Sequence, residues 1–140
     1  MTTPFRYFGK INFAPYTKVE KFADYLKNGK LMGTKCKHCG KINFPPRADC
    51  NSCMNSDFEW IESNGIGELE SFTKIHAAPT GFDDIAPYII GVLKLDQGGK
   101  LLGWIEGLKE DDLTIGMKLR AVPKIFEEIP EIKLYYVIKR

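Results

Sequence analysis

The chain of 140 residues is predicted to be mainly β, in three parts: an N-terminal helix, a four-cysteine zinc ribbon of rubredoxin-like form, and a C-terminal five-stranded barrel. Three observations predict this. The only four cysteines, Cys36, Cys39, Cys50 and Cys53, form two Cys-x-x-Cys pairs separated by ten residues, a spacing that aims four sulfurs at one point. From Gly65 onward, short apolar-rich runs alternate with turn residues and no helical period intervenes. Ahead of the cysteines, residues 18 to 28 carry apolar side chains at spacings of three and four.

The helix comes first. Thr17-Lys18-Val19-Glu20 has the form of a capping box, a hydroxyl followed three residues later by a glutamate. Val19, Phe22, Ala23 and Leu26 share one face, and Gly29 is placed to end the helix. That apolar stripe is expected to pack within the chain, for instance against the barrel, with docking on another protein as the alternative.

Residues 30 to 62 make the metal module. Extended segments over Leu31 to Lys35 and Lys41 to Phe44 flank the first cysteine pair, and Pro45-Pro46-Arg47 turns the chain toward the second. Four thiolates suit a tetrahedral zinc ion and leave no coordination position open, so the ion is structural and replaces a hydrophobic core. Iron is the competing metal, because Cys36-Lys37-His38-Cys39-Gly40 has the look of a rubredoxin knuckle; Cys50-Asn51-Ser52-Cys53-Met54 lacks the glycine, which favours zinc. Disulfides would need an oxidising compartment, and Met1-Thr2-Thr3-Pro4-Phe5 leads into no apolar signal run, so a cytoplasmic location is expected. With four cysteines on the ion, His38 is expected to be exposed.

The third part, 63 to 140, reads as all-β, after a helical segment 1–29 and a ribbon 30–62. Candidate strands are Ile66 to His76, Tyr88 to Leu95, Lys100 to Glu106, Met117 to Phe126 and Ile132 to Ile138, with Asp96-Gln97-Gly98-Gly99 as a hairpin turn. Five strands close most economically into the Greek-key barrel called the OB-fold, which removes exposed sheet edges.

Hydrophobic content of 44% with 27% charged residues disfavours disorder and membrane spanning. The net charge of +2 conceals an asymmetry: residues 1 to 53 carry ten Lys/Arg and three Asp/Glu, whereas residues 54 to 140 carry ten and fifteen. Four thiolates with one divalent cation add −2 and still leave a basic metal half, suited to a phosphate-bearing cofactor, nucleic acid or an acidic protein. Catalytic signals are weak. No Gly-x-Ser-x-Gly elbow, phosphate loop or dinucleotide fingerprint occurs, and His76 has no evident nucleophile or orienting acid, so no catalytic residue is assigned. Glu110-Asp111-Asp112 is expected to be a solvated turn.

Several motifs resemble one family. They are Gly33-Thr34-Lys35-Cys36-Lys37-His38-Cys39-Gly40, Phe44-Pro45-Pro46-Arg47, Cys50-Asn51-Ser52-Cys53, Phe58-Glu59-Trp60, Gly67-Glu68-Leu69-Glu70-Ser71-Phe72-Thr73, Pro87-Tyr88-Ile89-Ile90-Gly91-Val92, Leu101-Leu102-Gly103 and Ile115-Gly116-Met117. In that order, over nearly the whole chain, they resemble the small proteins that join a rubredoxin-like zinc ribbon to an OB-fold, long catalogued as a domain of unknown function and associated with acyl-CoA metabolism. The resemblance implies a non-catalytic accessory to thiolase-like condensing enzymes. In archaea this includes an assembly of acetoacetyl-CoA thiolase with hydroxymethylglutaryl-CoA synthase, in which the small protein helps pass an acyl-CoA.

Within that reading, Arg47 is the first candidate for the phosphates of CoA, its fork stiffened by two preceding prolines, with Lys35 beside the first knuckle. Trp104, between Gly103 and Ile105, is a candidate contact for pantetheine or adenine; the alternative is a core tryptophan. Phe82 tips a long loop from Ala77 to Pro87 and either anchors another protein or folds back on the barrel. The rival class is nucleic-acid binding, which ribbons and OB-folds both serve; the acidic barrel half argues against it.

Overall fold

The computed structural model describes residues 17–125 and 134–140. The outer ends of the last two expected strands, Phe126 and Ile132, and the first sixteen residues of the N-terminal segment lie outside these. The described residues fall into two compact units, one of residues 17–64 with 123–125 and 134–135, the other of Gly65–Val122 with Tyr136–Arg140.

In the first unit the helix α1 spans Lys21–Lys27, shorter than the 18-to-28 expectation. The capping box does not form. Residues 18–20 make a turn in which Thr17 Oγ1 accepts from Val19 N at 3.4 Å, so the hydroxyl closes its own turn, and the residue before the helix, Glu20, provides no side-chain cap. The other end follows the sequence. Gly29 N donates to Leu26 O (2.9 Å) and Lys30 N to Tyr25 O (2.8 Å), with Gly29 at φ 77°, which is a complete Schellman stop.

The apolar stripe of α1 packs in its own unit. Ala23 and Leu26 are buried, Phe22 meets Phe44 edge-on at 6.2 Å, and Tyr25 meets Trp60 at 5.3 Å. The helix therefore covers the ribbon, where the sequence suggested the barrel. The ribbon sheet has the order β2-β1-β3, all antiparallel, from β1 (Met32–Cys36), β2 (Ile42–Asn43) and β3 (Phe58–Glu62).

The second unit is built on a closed barrel of order β4-β5-β6-β8-β7, from β4 (Ile66–Ile75), β5 (Tyr88–Leu95), β6 (Lys100–Ile105), β7 (Lys118–Ile125) and β8 (Leu134–Lys139). β5 pairs antiparallel with β4 and β6, and β4 antiparallel with β7, whereas β6 and β8 run parallel through Trp104↔Val137 and Ile105↔Ile138. The five expected strands are all present. A bulge between Leu69 and Ser71 adds one residue to β4 and lets the long first strand bend around the barrel. Inside lie Leu69, Leu93, Leu101 and Ile138, each 1% exposed or less. Each such side chain contributes about 1.5–3 kcal/mol through burial. Glu110–Asp112 forms one 3-10 turn, its Asp112 carboxylate accepting from Lys109 N at 2.9 Å.

Candidate metal centre

Both cysteine pairs sit on turns with the same backbone hydrogen bonds. At the first, Cys36 N donates to Lys41 O and Gly40 N to Cys36 O, each at 2.9 Å. At the second, Cys50 N donates to Asn55 O (2.9 Å) and Met54 N to Cys50 O (3.0 Å). Gly40 takes the left-handed backbone (φ 73°), and so does Met54 (φ 62°). Methionine thus does the work of the glycine missing from the second knuckle, and the sequence argument that its absence sets the two knuckles apart does not hold in the geometry.

The four sulfurs converge. Cys36 Sγ lies 3.5 Å from Cys53 Sγ, Cys39 Sγ 3.6 Å from Cys50 Sγ, and all four fall within 4.8 Å of one another. Metal–sulfur bonds of about 2.3 Å in a tetrahedron place ligand sulfurs about 3.8 Å apart, so the cluster fits one ion with little adjustment. Cys36 and Cys50 are buried; Cys39 is exposed.

Backbone N–H groups turned toward the sulfurs favour thiolates. The N–H of Cys53, then that of Ser52, hold Cys50 down at about 6, with the Asn43 side chain adding a further hydrogen bond. The N–H of Cys39 does the same for Cys36, assisted by that of His38. Cys53 receives one such bond from Asn55, yet burial and three neighbouring sulfurs leave it pushed up to about 12. Four sulfurs in one space cannot all be charged alone, and a divalent cation removes that conflict.

Asn43 is a partner that sequence reasoning did not single out. It lies on β2 opposite Thr34, is 4% exposed, and its side-chain amide helps hold the Cys50 thiol down, while its Oδ1 has no hydrogen-bond partner. A neutral amide in a strand carries no spacing signature. Thr34, 1% exposed, accepts from Arg47 N at 3.3 Å and pins the Pro-Pro-Arg turn to β1.

Of the other candidates, Arg47 is exposed and directs Nε toward Asp49 O at 3.4 Å, a carbonyl where a carboxylate had been the alternative. Lys35 is half-buried on β1 opposite Glu59, and His38 is exposed as expected. His76 is exposed beyond the end of β4. On the barrel, Trp104 and Phe82 come together. Their rings lie 6.2 Å apart, and Tyr88 completes the group at 5.8 Å from Trp104 and 6.4 Å from Phe82. Trp104 is on the outward side of β6, so it is not a core residue, and Phe82, 38% exposed, both touches the barrel and meets solvent.

Two family profiles match consecutive stretches: the ChsH2 rubredoxin-like zinc ribbon domain over residues 23–59 and the ChsH2 C-terminal OB-fold domain over residues 60–124. The chain belongs to this zinc-ribbon and OB-fold family. Among family relatives, a DUF35 domain-containing scaffold protein of Methanocaldococcus jannaschii is 36% identical over 99 residues, 70% of each chain. The benzoylsuccinyl-CoA thiolase subunit BbsA of Thauera aromatica is 31% identical over 93 residues, 61% of this chain and 63% of that one. The fold is shared with the solved Ltp2-ChsH2(DUF35) aldolase, with a TM-score of 0.73 at 24% identity over 94% of this chain and 97% of that one. It is shared too with a DUF35-family protein of unknown function from Sulfolobus solfataricus, with a TM-score of 0.62 at 23% identity over 91% and 88%.

Proposed function

We propose that this chain is a non-catalytic scaffold subunit of a thiolase-type condensing enzyme, held in shape by one structural zinc ion. The observation that carries the reading is family membership joined to the closed four-sulfur centre. Relatives in the family include proteins named as scaffolds and one named as a thiolase subunit, beside hydratase alpha subunits of which this chain matches about a third, and four converging thiolates leave no open position for substrate. The acyl-CoA contact belongs to the basic ribbon half, with Arg47 and Lys35 as the candidates for its phosphates. The enzymes bridged are an acetoacetyl-CoA thiolase and a hydroxymethylglutaryl-CoA synthase, in the cytoplasm. The segments 1–29, 30–62 and 63–140 act as helical cover, ribbon and barrel modules.

The test is purification with the source organism's thiolase-type enzymes, each co-expressed with the chain, followed by metal analysis and titration with an acyl-CoA. The expected result is a stable complex, about one zinc per chain, and acyl-CoA affinity that drops on Arg47→Ala with folding intact. Iron in place of zinc would change only the metal assignment. Failure to associate with any such enzyme, or co-purification of nucleic acid with binding that falls steeply in salt, would overturn the scaffold reading.

A further inference from the structure

The outward face of β5 and β6 is built as an interior would be. On β5, Ile89, Gly91, Leu93 and Leu95 are buried, so the alternate residues Tyr88, Ile90, Val92 and Lys94 point out. On β6, Leu101 and Ile105 are buried and Leu102 and Trp104 point out. The register sets Ile90 directly beside Trp104 and Val92 beside Leu102, and Phe82 lays its ring against Tyr88 and Trp104. A barrel strand that faces its own core on one side and water on the other alternates apolar with polar residues; these two strands are apolar on both sides from Tyr88 to Val92 and from Leu102 to Trp104, and only the paired Lys94 and Lys100 at the far end are charged. Leu102 is 58% exposed. A contiguous outward patch of aromatic and aliphatic side chains on a small domain marks a protein interface.

Charge selects the occupant. Between His76 and Lys94 the only charged residues are Asp83 and Asp84, next to Phe82, and both are exposed. At the other end of the face, Lys100 is tied to Glu70 at 2.8 Å. The tip of the Phe82 loop is therefore acidic, while Glu106 and Lys139 follow the paired residues Ile105 and Ile138 at the same end of the strands. The acidic tip suits a protein surface on which an apolar ridge is followed by Arg or Lys, able to pair with the carboxylates and lie over the exposed rings.

We propose that the outward face of β5–β6, with the Phe82 loop, is where the thiolase-type enzyme docks, through an apolar ridge flanked by basic side chains. This deepens the scaffold reading and rests on it. It separates two tasks on the chain, with the acidic-aromatic barrel face holding the enzyme and the basic ribbon meeting anionic groups.

The test measures binding of purified chain to a purified thiolase-type enzyme of the same organism for four proteins: wild type, Leu102→Glu, the double reversal Asp83→Lys with Asp84→Lys, and Ile115→Glu. Leu102 and Ile115 are both largely exposed, so neither substitution disturbs the core, and metal content with thermal unfolding verifies folding. Leu102→Glu is expected to weaken binding roughly thirtyfold or more, as at an interface centre. The charge reversal should slow association and remove its salt dependence. Ile115→Glu, outside the face, should stay within about twofold of wild type. If wild type binds and Leu102→Glu binds equally well, the docking face is overturned while the scaffold reading stands. If wild type binds none of these enzymes, the scaffold reading falls and the docking face with it. If Leu102→Glu turns a dimer into a monomer without touching enzyme affinity, the face joins two copies of this chain and the proposal is overturned.

Discussion

Met54 holds a left-handed backbone at φ 62° with its side chain 73% exposed, so it has the strain of that conformation without evident compensation from packing. A non-glycine residue there costs about 1–2 kcal/mol, of which glycine's greater freedom in the unfolded chain takes back about 0.5–1. Met54→Gly should therefore stabilise the metal-loaded protein by about 1 kcal/mol in thermal or denaturant unfolding; a loss of stability would mean that the methionine side chain packs usefully. Asn43 acts on the same knuckle from the neighbouring strand. Its side-chain amide favours the Cys50 thiolate, and support of this kind is worth about tenfold or more in metal affinity. Asn43→Ala should weaken zinc in competition with a chelator by about that factor. Because the Oδ1 it removes has no partner, the loaded protein should lose no more stability than tenfold weaker zinc accounts for, about 1.4 kcal/mol. Equal affinity would reduce Asn43 to a space-filler.

At the scale of elements, β5 could be read from the sequence because it buries alternate residues of a turn-bounded run, Ile89, Gly91, Leu93 and Leu95. β3 was harder. Phe58–Glu62 was not among the expected extended segments: it is half-exposed and lies between a knuckle and a turn, so it shows no clean period, and Phe58-Glu59-Trp60 stood out only as a family motif. The helix start was misplaced because Thr17 has two uses for its hydroxyl and the local turn won. The four metal ligands were legible by spacing alone, whereas Asn43 and the Phe82–Tyr88–Trp104 group depend on register between strands, which no local pattern encodes. The same register makes Gly67 demanding. It pairs with Leu95 on one side and Leu119 on the other, and a Cβ there would collide with the backbone carbonyl of Lys94. Gly67→Ala should cost about 3 kcal/mol, since backbone yields less than a side-chain end. Denaturant unfolding decides it, and a cost under about 1 kcal/mol would mean that β4 shifts freely.

Over the whole molecule, the two units draw on different sources of stability. The barrel has a buried aliphatic core, while the ribbon has a three-stranded sheet, a short helix and four sulfurs around one point. Cys50→Ser removes a buried ligand and should abolish zinc binding and hydrogen-exchange protection in β1 to β3, with protection in β4 to β6 retained. Loss of protection in both regions at once would show that the barrel depends on the ribbon. No helix among the described residues is long and apolar enough to cross a membrane. Barrel closure, finally, has a kinetic side. β4 meets β7 through Ile66↔Arg120, Gly67↔Leu119 and Glu68↔Lys118, contacts that span about fifty residues of chain, whereas β1 and β2 meet across fewer than ten. Long loops close late, so a ribbon already gripping its ion should precede the sealing of the barrel during refolding, and amides of β7 should be the slower to gain protection in pulse labelling.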